Sequence, residues 1–386
     1  MNLLYLHNAD VASEVANLVQ VISMCNAFAE NNINVTLVLN SHNKNITQKD
    51  VHKIIESQFG IRPIFRIILN TSLCAKYNRL GKYFNGFYYR NIIKKFNPDV
   101  CFIRHHLLIK SCIQGKKPFI FEIHNASFYN HPQFINNLCI KKVITASKSS
   151  YLLKIVVISE NLKKLWVNRG IESSKIISLH DGFNSHLFEK GITQQKAREL
   201  LSLPQGKKIA IYTGSLYPDR EIDNIIQLAS RIPEALFIVV GGPQNNVDFF
   251  SNVARDKGLK NITFVGRKNH NEIPLYLFAA DVLLALWSRK VPTINYCSPL
   301  KVFEYMAAGR IVVAHAFPTI TEVLKDNENA LLVDPDSFDD LLQKVNEALM
   351  LIYPNKLSQN ARELAFNQYT WNKRVGKIIK TLKEHN

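Results

Sequence analysis

No Cys-x-x-Cys pair occurs among the six cysteines of this 386-residue chain (Cys25, Cys74, Cys101, Cys112, Cys139, Cys297), so neither a zinc site nor a disulfide framework is indicated. The thiols are expected to be reduced, buried or incidental, as in a cytoplasmic protein. Long Gly, Pro or Ser tracts are missing too, which speaks against disorder and fibrous repeats. No run reaches the ~18 apolar residues of a membrane span. The opening MNLLYLHNADVASE has no basic stretch and meets an acid at Asp10, unlike a secretory signal. No Gly-x-Gly-x-x-Gly follows the first strand of either half, which disfavours an NAD-dependent oxidoreductase. A cytoplasmic chain is expected, with any membrane contact peripheral.

What is present is a globular composition, 47% hydrophobic, long enough for two compact domains. The formal net charge is +17 and unevenly spread. Residues 1–186 hold 23 Lys or Arg against 10 Asp or Glu, while residues 187–386 hold 25 against 21. The first half therefore carries the field that attracts polyanions: nucleic acid, an anionic membrane or a phosphorylated acceptor.

Short β-branched and aromatic runs alternate with amphipathic ones, predicting βα units and a parallel, doubly wound sheet in each half. Strands are expected at 2–7, 34–39, 63–69, 99–103, 118–123 and 154–158, then at 209–213, 235–240, 262–265, 282–286 and 311–314. A polar helix and a Pro-Gly break after Leu187 mark a seam. The reading is a domain over 1–186, a second over 187–365, and a helix over 366–386 that packs back across the seam. A single amphipathic helix is predicted over 361–382. Ligands in open α/β sheets bind at the carboxyl ends of strands, so an active site between the two domains is expected.

Three stretches carry chemistry. In Ser298-Pro-Leu-Lys-Val-Phe-Glu304-Tyr-Met-Ala-Ala-Gly309, Ser298 is an N-cap type, Pro299 suits a first turn and Gly309 a stop, predicting a helix over 300–308. Its N-terminus would bind phosphate, with Lys301 adding a full charge and Glu304 within reach of ribose hydroxyls. Capped surface helices with a solvated Glu have the same look. In Tyr212-Thr-Gly214-Ser215, Gly214 permits close backbone approach, and Arg220 can clamp phosphate oxygens. An ordinary βα turn reads the same way. In Phe119-Ile-Phe-Glu122-Ile-His124-Asn125 a buried strand ends in a polar pair, and Arg104-His105-His106 ends a neighbouring strand similarly. A lone His is more often structural; two polar strand ends raise the odds of a site.

These residues, with Phe264-Val-Gly266-Arg, Ala280-Asp-Val-Leu-Leu-Ala and Ser178-Leu-His-Asp-Gly182-Phe-Asn, resemble the GT-B glycosyltransferases of retaining family 4, often called group 1. The second half matches specifically and the first loosely. The resemblance implies that Glu304 binds the nucleotide ribose and that Ser298, Pro299, Leu300 and Lys301 form a phosphate-binding helix start. It implies that Arg220 clamps the diphosphate beside Gly214 and Ser215, and that Gly266, Arg267 and Lys268 frame the base. His124 would stand beside the transferred sugar as the catalytic residue. Tyr296 occupies the position of the first Glu of the family's E-x7-E motif, and Ser13 and Asn17 stand in place of its Gly-Gly loop. The donor sugar and the choice of UDP or GDP stay open.

The resemblance further implies retention of anomeric configuration, no cofactor and no metal. Asp334-Pro-Asp336 has Asp-x-Asp spacing but lies past the phosphate helix. Residues 76–96 hold six basic residues, seven aromatics and no acid, which suits a headgroup interface as well as a core helix, and nucleic acid less well. The expected partners are a nucleotide-sugar donor and a glycan or lipid-linked acceptor, lipopolysaccharide or capsule in type, at the inner face of the cytoplasmic membrane; nucleic acid is not expected. The competing readings are an inactive homologue assisting glycan assembly and a nucleotide-sugar epimerase or hydrolase on the same fold.

Overall fold

Runs such as Ile209-Ala-Ile-Tyr-Thr213 and Val282-Leu-Leu-Ala285 have every residue buried, as strands covered on both faces must. The computed structural model describes residues 1–10, 16–41, 43, 45–71, 81–127, 132–217 and 219–383. The chain divides into one unit of Met1–Asp181 with Trp371–Asn386 and a second of Gly182–Thr370.

The first unit holds a parallel sheet of seven strands: β1 (Asn2–Asp10), β2 (Asn34–Asn40), β3 (Arg66–Asn70), β4 (Val100–Ile103), β5 (Phe119–Ile123), β6 (Leu152–Val157) and β7 (Ile176–Ser178). Their order is β3-β2-β1-β4-β5-β6-β7. The second holds six: β8 (Ile209–Thr213), β9 (Leu236–Val240), β10 (Ile262–Gly266), β11 (Val282–Ala285), β12 (Ile311–His315) and β13 (Leu331–Val333), ordered β10-β9-β8-β11-β12-β13. The winding reverses between β1 and β4 in one sheet and between β8 and β11 in the other. Both reversals open a crevice at the strands' carboxyl ends, where such sheets take ligands.

The division lies at 181/182, five residues before the expected seam. Asp181 belongs to the first unit because Gln20 Nε2 donates to it over 2.7 Å. Phe183 belongs to the second, where its amide donates to the Tyr369 carbonyl and its ring meets Phe188 and Phe366 edge-on. The helix predicted over 361–382 is two helices, Lys356–Gln368 and Trp371–Lys383. The first ends as the Tyr369 amide closes on the Ala365 carbonyl, and Thr370 then bridges to Phe183.

Two glycines shape the crevice of the second unit. Gly214 (φ +148°) and Gly241 (φ +122°) follow adjacent strands β8 and β9, and a Cβ on Gly241 would stand 2.1 Å from the Gly214 carbonyl oxygen. The loops interlock through backbone bonds, Gly214 N–H to Val240 O at 2.9 Å and Gly241 N–H to Gly266 O at 2.8 Å. Gly241→Ala is expected to cost about 3 kcal/mol through overpacking and a disallowed φ. Denaturant melts of that variant against Gly258→Ala check this, since Gly258 also has positive φ but open space around it.

Candidate functional site

The helix Leu300–Ala308 is set locally. Pro299 lacks an N–H and disfavours helical backbone before it, so the helix starts at Leu300; Gly309 (φ +65°) ends it in left-handed geometry. Pro299, not Ser298, is the capping residue, and its side chain makes no cap bond. Ser298 is buried just outside the helix. A helix start whose capping residue has no side-chain acceptor is the form of helix end that accepts an anion. Tyr305, one turn further, donates to or accepts from Thr213 at the tip of β8, with Thr213 N–H 2.7 Å from its hydroxyl. That contact ties the helix to the strand.

The tie puts Lys301 into a recess of about 220 Å³ lined by Tyr212, Ser215, Arg220, Trp287, Val291, Thr293, Cys297 and Pro299. Lys301 Nζ lies 4.0 Å from the ring centre of Tyr212 and 4.8 Å from that of Trp287. It has no hydrogen-bond acceptor among the described residues. Burial, then the neighbouring Arg220, holds its ammonium well below the usual lysine range, with Glu304 opposing. A Cβ on Gly214 would lie 3.0 Å from Nζ, so glycine there leaves the lysine its place. Arg220 Nε donates to Ser215 Oγ over 3.1 Å and lies 3.5 Å from Asp219.

The recess thus gathers Ser215, Arg220, Pro299 and Lys301 around Gly214. Glu304 lies deeper in the helix, buried, its Oε1 3.2 Å from His270 Nε2. Leu300, half-buried, and Tyr296, 6% exposed, are not among the lining residues. Gly266 closes β10, and Arg267, exposed, and Lys268, half-buried, follow it outside the lining. Sequence reasoning missed the Tyr212 and Trp287 rings, Thr293, Cys297 and His270. The Tyr-Thr-Gly strand end was the only signal for the first of these.

Cys297 is half-buried in the recess wall, whereas Cys25, Cys101, Cys112 and Cys139 are buried; all five are free thiols, and Cys74 lies outside the described residues. Asp336 is taken by Arg289, whose Nη2 is 2.6 Å from Oδ2. Among the described residues no group of three His, Cys, Asp or Glu is arranged to hold a metal, and no helix is long and apolar enough to cross a membrane.

In the first unit the crevice edge is polar and densely paired. Glu122, fully buried on β5, receives Arg374 Nη2 at 2.8 Å from the helix Trp371–Lys383, Gln20 Nε2 at 3.3 Å and Tyr5 Oη at 3.5 Å. Burial opposes its charge, yet Arg374 and Arg104 hold its carboxyl well below the usual range. Two residues on, His124 lies beside Arg104, whose Nη1 donates to the Asn17 carbonyl over 3.0 Å. The Asn17 side chain is exposed, and Ser13 lies outside the described residues.

His7, at 6% exposure on β1, has no partner for either ring nitrogen among the described residues. Burial first, then Arg104, keeps it neutral well below the usual histidine range. The unfolded chain takes up a proton near pH 6.5 that the folded chain refuses, so stability is lost as pH falls below that value, by about 1.4 kcal/mol per unit. His7→Leu should flatten the fall in melting temperature between neutral pH and pH 5, measured by calorimetry on both proteins.

Two parallel, doubly wound sheets of seven and six strands make this a GT-B type of architecture. The solved structure of Anabaena Alr3699/HepE in complex with UDP superposes with a TM-score of 0.76 over 100% of both chains at 14% identity, a likeness of fold. Residues 193–364, which make up most of the second unit, match the family model for glycosyl transferases group 1. D-inositol 3-phosphate glycosyltransferase of Mycolicibacterium smegmatis is 25% identical over 232 residues, 56% of this chain and 51% of that one. The putative colanic acid biosynthesis glycosyl transferase WcaI of Escherichia coli is 25% identical over 170 residues, 43% and 41% of the two chains. The chain thus matches about half the length of these relatives or less.

Proposed function

We propose that the protein transfers a sugar, with retention and without a metal ion, from a nucleoside diphosphate sugar to a glycan or lipid-linked acceptor of lipopolysaccharide or capsule type. The observation that carries this is Lys301, buried with no acceptor among the described residues, beside Arg220, Ser215 and a helix start capped by a proline. A diphosphate supplies the missing acceptor and is neutralised by the lysine, the arginine and the helix dipole, which stabilises the departing charge without a cation. Glu304 and His270 then lie one turn further along for the ribose hydroxyls. The complex of Alr3699/HepE with UDP and the colanic acid relative support the donor and the acceptor class. The test is binding calorimetry against UDP, GDP, ADP and CMP with and without EDTA. Selective, EDTA-insensitive binding of one nucleotide is expected; no binding by any overturns the reading. Tyr296, standing for a family glutamate, favours a second reading, an inactive partner in glycan assembly, which binding without turnover of any donor sugar supports.

The acceptor side is read from charge. Residues 57–159 carry sixteen Lys and Arg against two carboxylates, Asp99 and the buried Glu122. On the helix Gly81–Phe96, Phe87 is 65% exposed under the Arg90 guanidinium, with Lys94 and Lys95 exposed two turns later, while Tyr89 faces the core. An exposed aromatic among cations suits anionic headgroups at the inner face of the cytoplasmic membrane. Cosedimentation with phosphatidylglycerol vesicles is expected, and Phe87→Ser with Lys94→Glu should weaken it about tenfold or more, with phosphatidylcholine vesicles and oligonucleotides as controls.

A further inference from the structure

His124 sits at the carboxyl end of β5 with about a fifth of its side chain exposed. Its two ring nitrogens meet different surroundings. Nε2 faces inward, 3.1 Å from Arg104 Nη2 and 3.3 Å from Gln20 Nε2. Nδ1 has no hydrogen-bond partner among the described residues. Which nitrogen carries the proton follows from what the neighbours can offer.

Arginine has donors only. The Gln20 amide could be turned either way by itself, but its nitrogen is fixed by two carboxylates, Asp181 Oδ1 at 2.7 Å and Glu122 Oε1 at 3.3 Å. Its two hydrogens go to those oxygens, and its nitrogen has no lone pair to offer the ring. A proton on Nε2 would point at two nitrogens that accept no hydrogen bond. The one acceptor near Nε2 is Glu122 Oε2, at the longer distance of 3.5 Å, and that oxygen already faces Arg104 Nε and Tyr5 Oη, each at 3.5 Å. The nearest group, Arg104 at 3.1 Å, decides the matter, because a hydrogen bond weakens with distance and a permanent donor requires a lone pair opposite it. The charges facing the ring are Arg104 from β4's end, Glu122 from β5, Asp181, Arg374 from the last helix, and the neutral His7 from β1. Burial, then Arg104, pulls the ring below the usual histidine range, with Glu122 and Asp181 opposing.

We infer that Arg104 and Gln20 hold His124 as a neutral imidazole with its proton on Nδ1, so that the ring offers a bound ligand a hydrogen-bond donor and no base. Arg104, Gln20 and the Glu122–Arg374 pair behind them are positioning residues. The ligand atom that Nδ1–H meets is an oxygen acceptor, a sugar hydroxyl or a charged phosphoryl oxygen. The assignment of the proton stands by itself; its use in transfer rests on the function proposed above.

The test is a long-range ¹H–¹⁵N spectrum of the full chain labelled at histidine, with the His124 signal identified by its loss in His124→Asn. At neutral pH Nδ1 should be the protonated nitrogen, and the ring should take its second proton at a lower pH than an exposed histidine does. A proton on Nε2, or an imidazolium at neutral pH, overturns the inference. In Arg104→Met the proton is expected to move to Nε2, toward Glu122, with the titration midpoint raised by more than about one unit; an unchanged ring would also overturn it. Should that variant not fold, Gln20→Leu serves, with a smaller rise in midpoint as the expected result and an unchanged midpoint counting against the inference. A proton on Nδ1 together with unimpaired transfer by His124→Asn would leave the assignment standing and remove His124 from the proposed reaction.

Discussion

Lys301→Met is expected to lower nucleoside diphosphate affinity and turnover by about two to three orders of magnitude while leaving the free protein as stable as before or slightly more so. The two halves of this expectation come from different atoms. The ammonium nitrogen lies over the rings of Tyr212 and Trp287, and the methionine side chain, of similar volume, can pack against the same two rings. The nitrogen is buried with no acceptor for its hydrogens among the described residues, so removing it relieves the free protein of an unpaired polar group, against the loss of its contacts with the two rings. Only the ligand complex loses, because only there does the ammonium meet an anion. Calorimetric affinity and a melting curve on the same sample separate the effects. A variant that binds normally would disprove the site, and one that unfolds would show Lys301 to be structural.

Glu122→Gln should be the most damaging isosteric change in the first unit, costing about 3–5 kcal/mol, because it strands buried cations. Arg374 is 2% exposed and has the carboxylate at 2.8 Å, with Arg104 3.5 Å away on the other side. Arg374 also donates to the carbonyls of Leu179 and His180, so its loss of charge balance reaches the end of the first unit's chain segment at Asp181. The double variant Glu122→Gln/Arg374→Met should recover part of the loss, since no charge then remains unpaired at that contact; additive losses would argue against coupling. The sign of the pH dependence is fixed as well. A carboxyl held below its unfolded value stabilises above the ordinary glutamate range and ceases to do so as pH falls through and below it. The gap in melting temperature between parent and Glu122→Gln should therefore narrow on acidification from neutral pH.

Much of the second unit was legible because its elements are locally determined. The strand Ile209–Thr213 and the helix Leu300–Ala308 have the predicted bounds, the one because an apolar run ends at glycine, the other because proline and glycine bracket it. The helix Gln244–Asp256 likewise has its start set by a proline, Pro243. The helix Gln48–Phe59 was not predicted although Thr47 and Asp50 form a capping box, since its apolar face is only Val51, Ile55 and Phe59. The strand Leu331–Val333 is too short to show a period.

The candidate site was legible where chemistry sits at strand and helix ends: Gly214, Arg220, Lys301 and His124. It was illegible where partners are remote in sequence. Nothing local connects Arg374 to Glu122, 252 positions apart, or Trp287 to Lys301 across the loop between them. Ser298 as a cap failed for a physical reason: the following proline takes the capping position itself and has no hydroxyl to offer.

The interlocked glycine loops after β8 and β9 carry a consequence for how this chain can vary. Where one loop's missing Cβ is the next loop's carbonyl, the seat beside the recess is written in main chain, and no exchange of side chains at those positions can reshape it. Drift in ligand preference is left to side chains around that seat, among them Ser215 and Arg220 after β8, Pro243 after β9, and Arg267 and Lys268 after β10. A library randomised at those five positions can therefore explore new ligands on an unchanged seat, whereas one randomised at Gly214 and Gly241 mostly yields chains that do not fold.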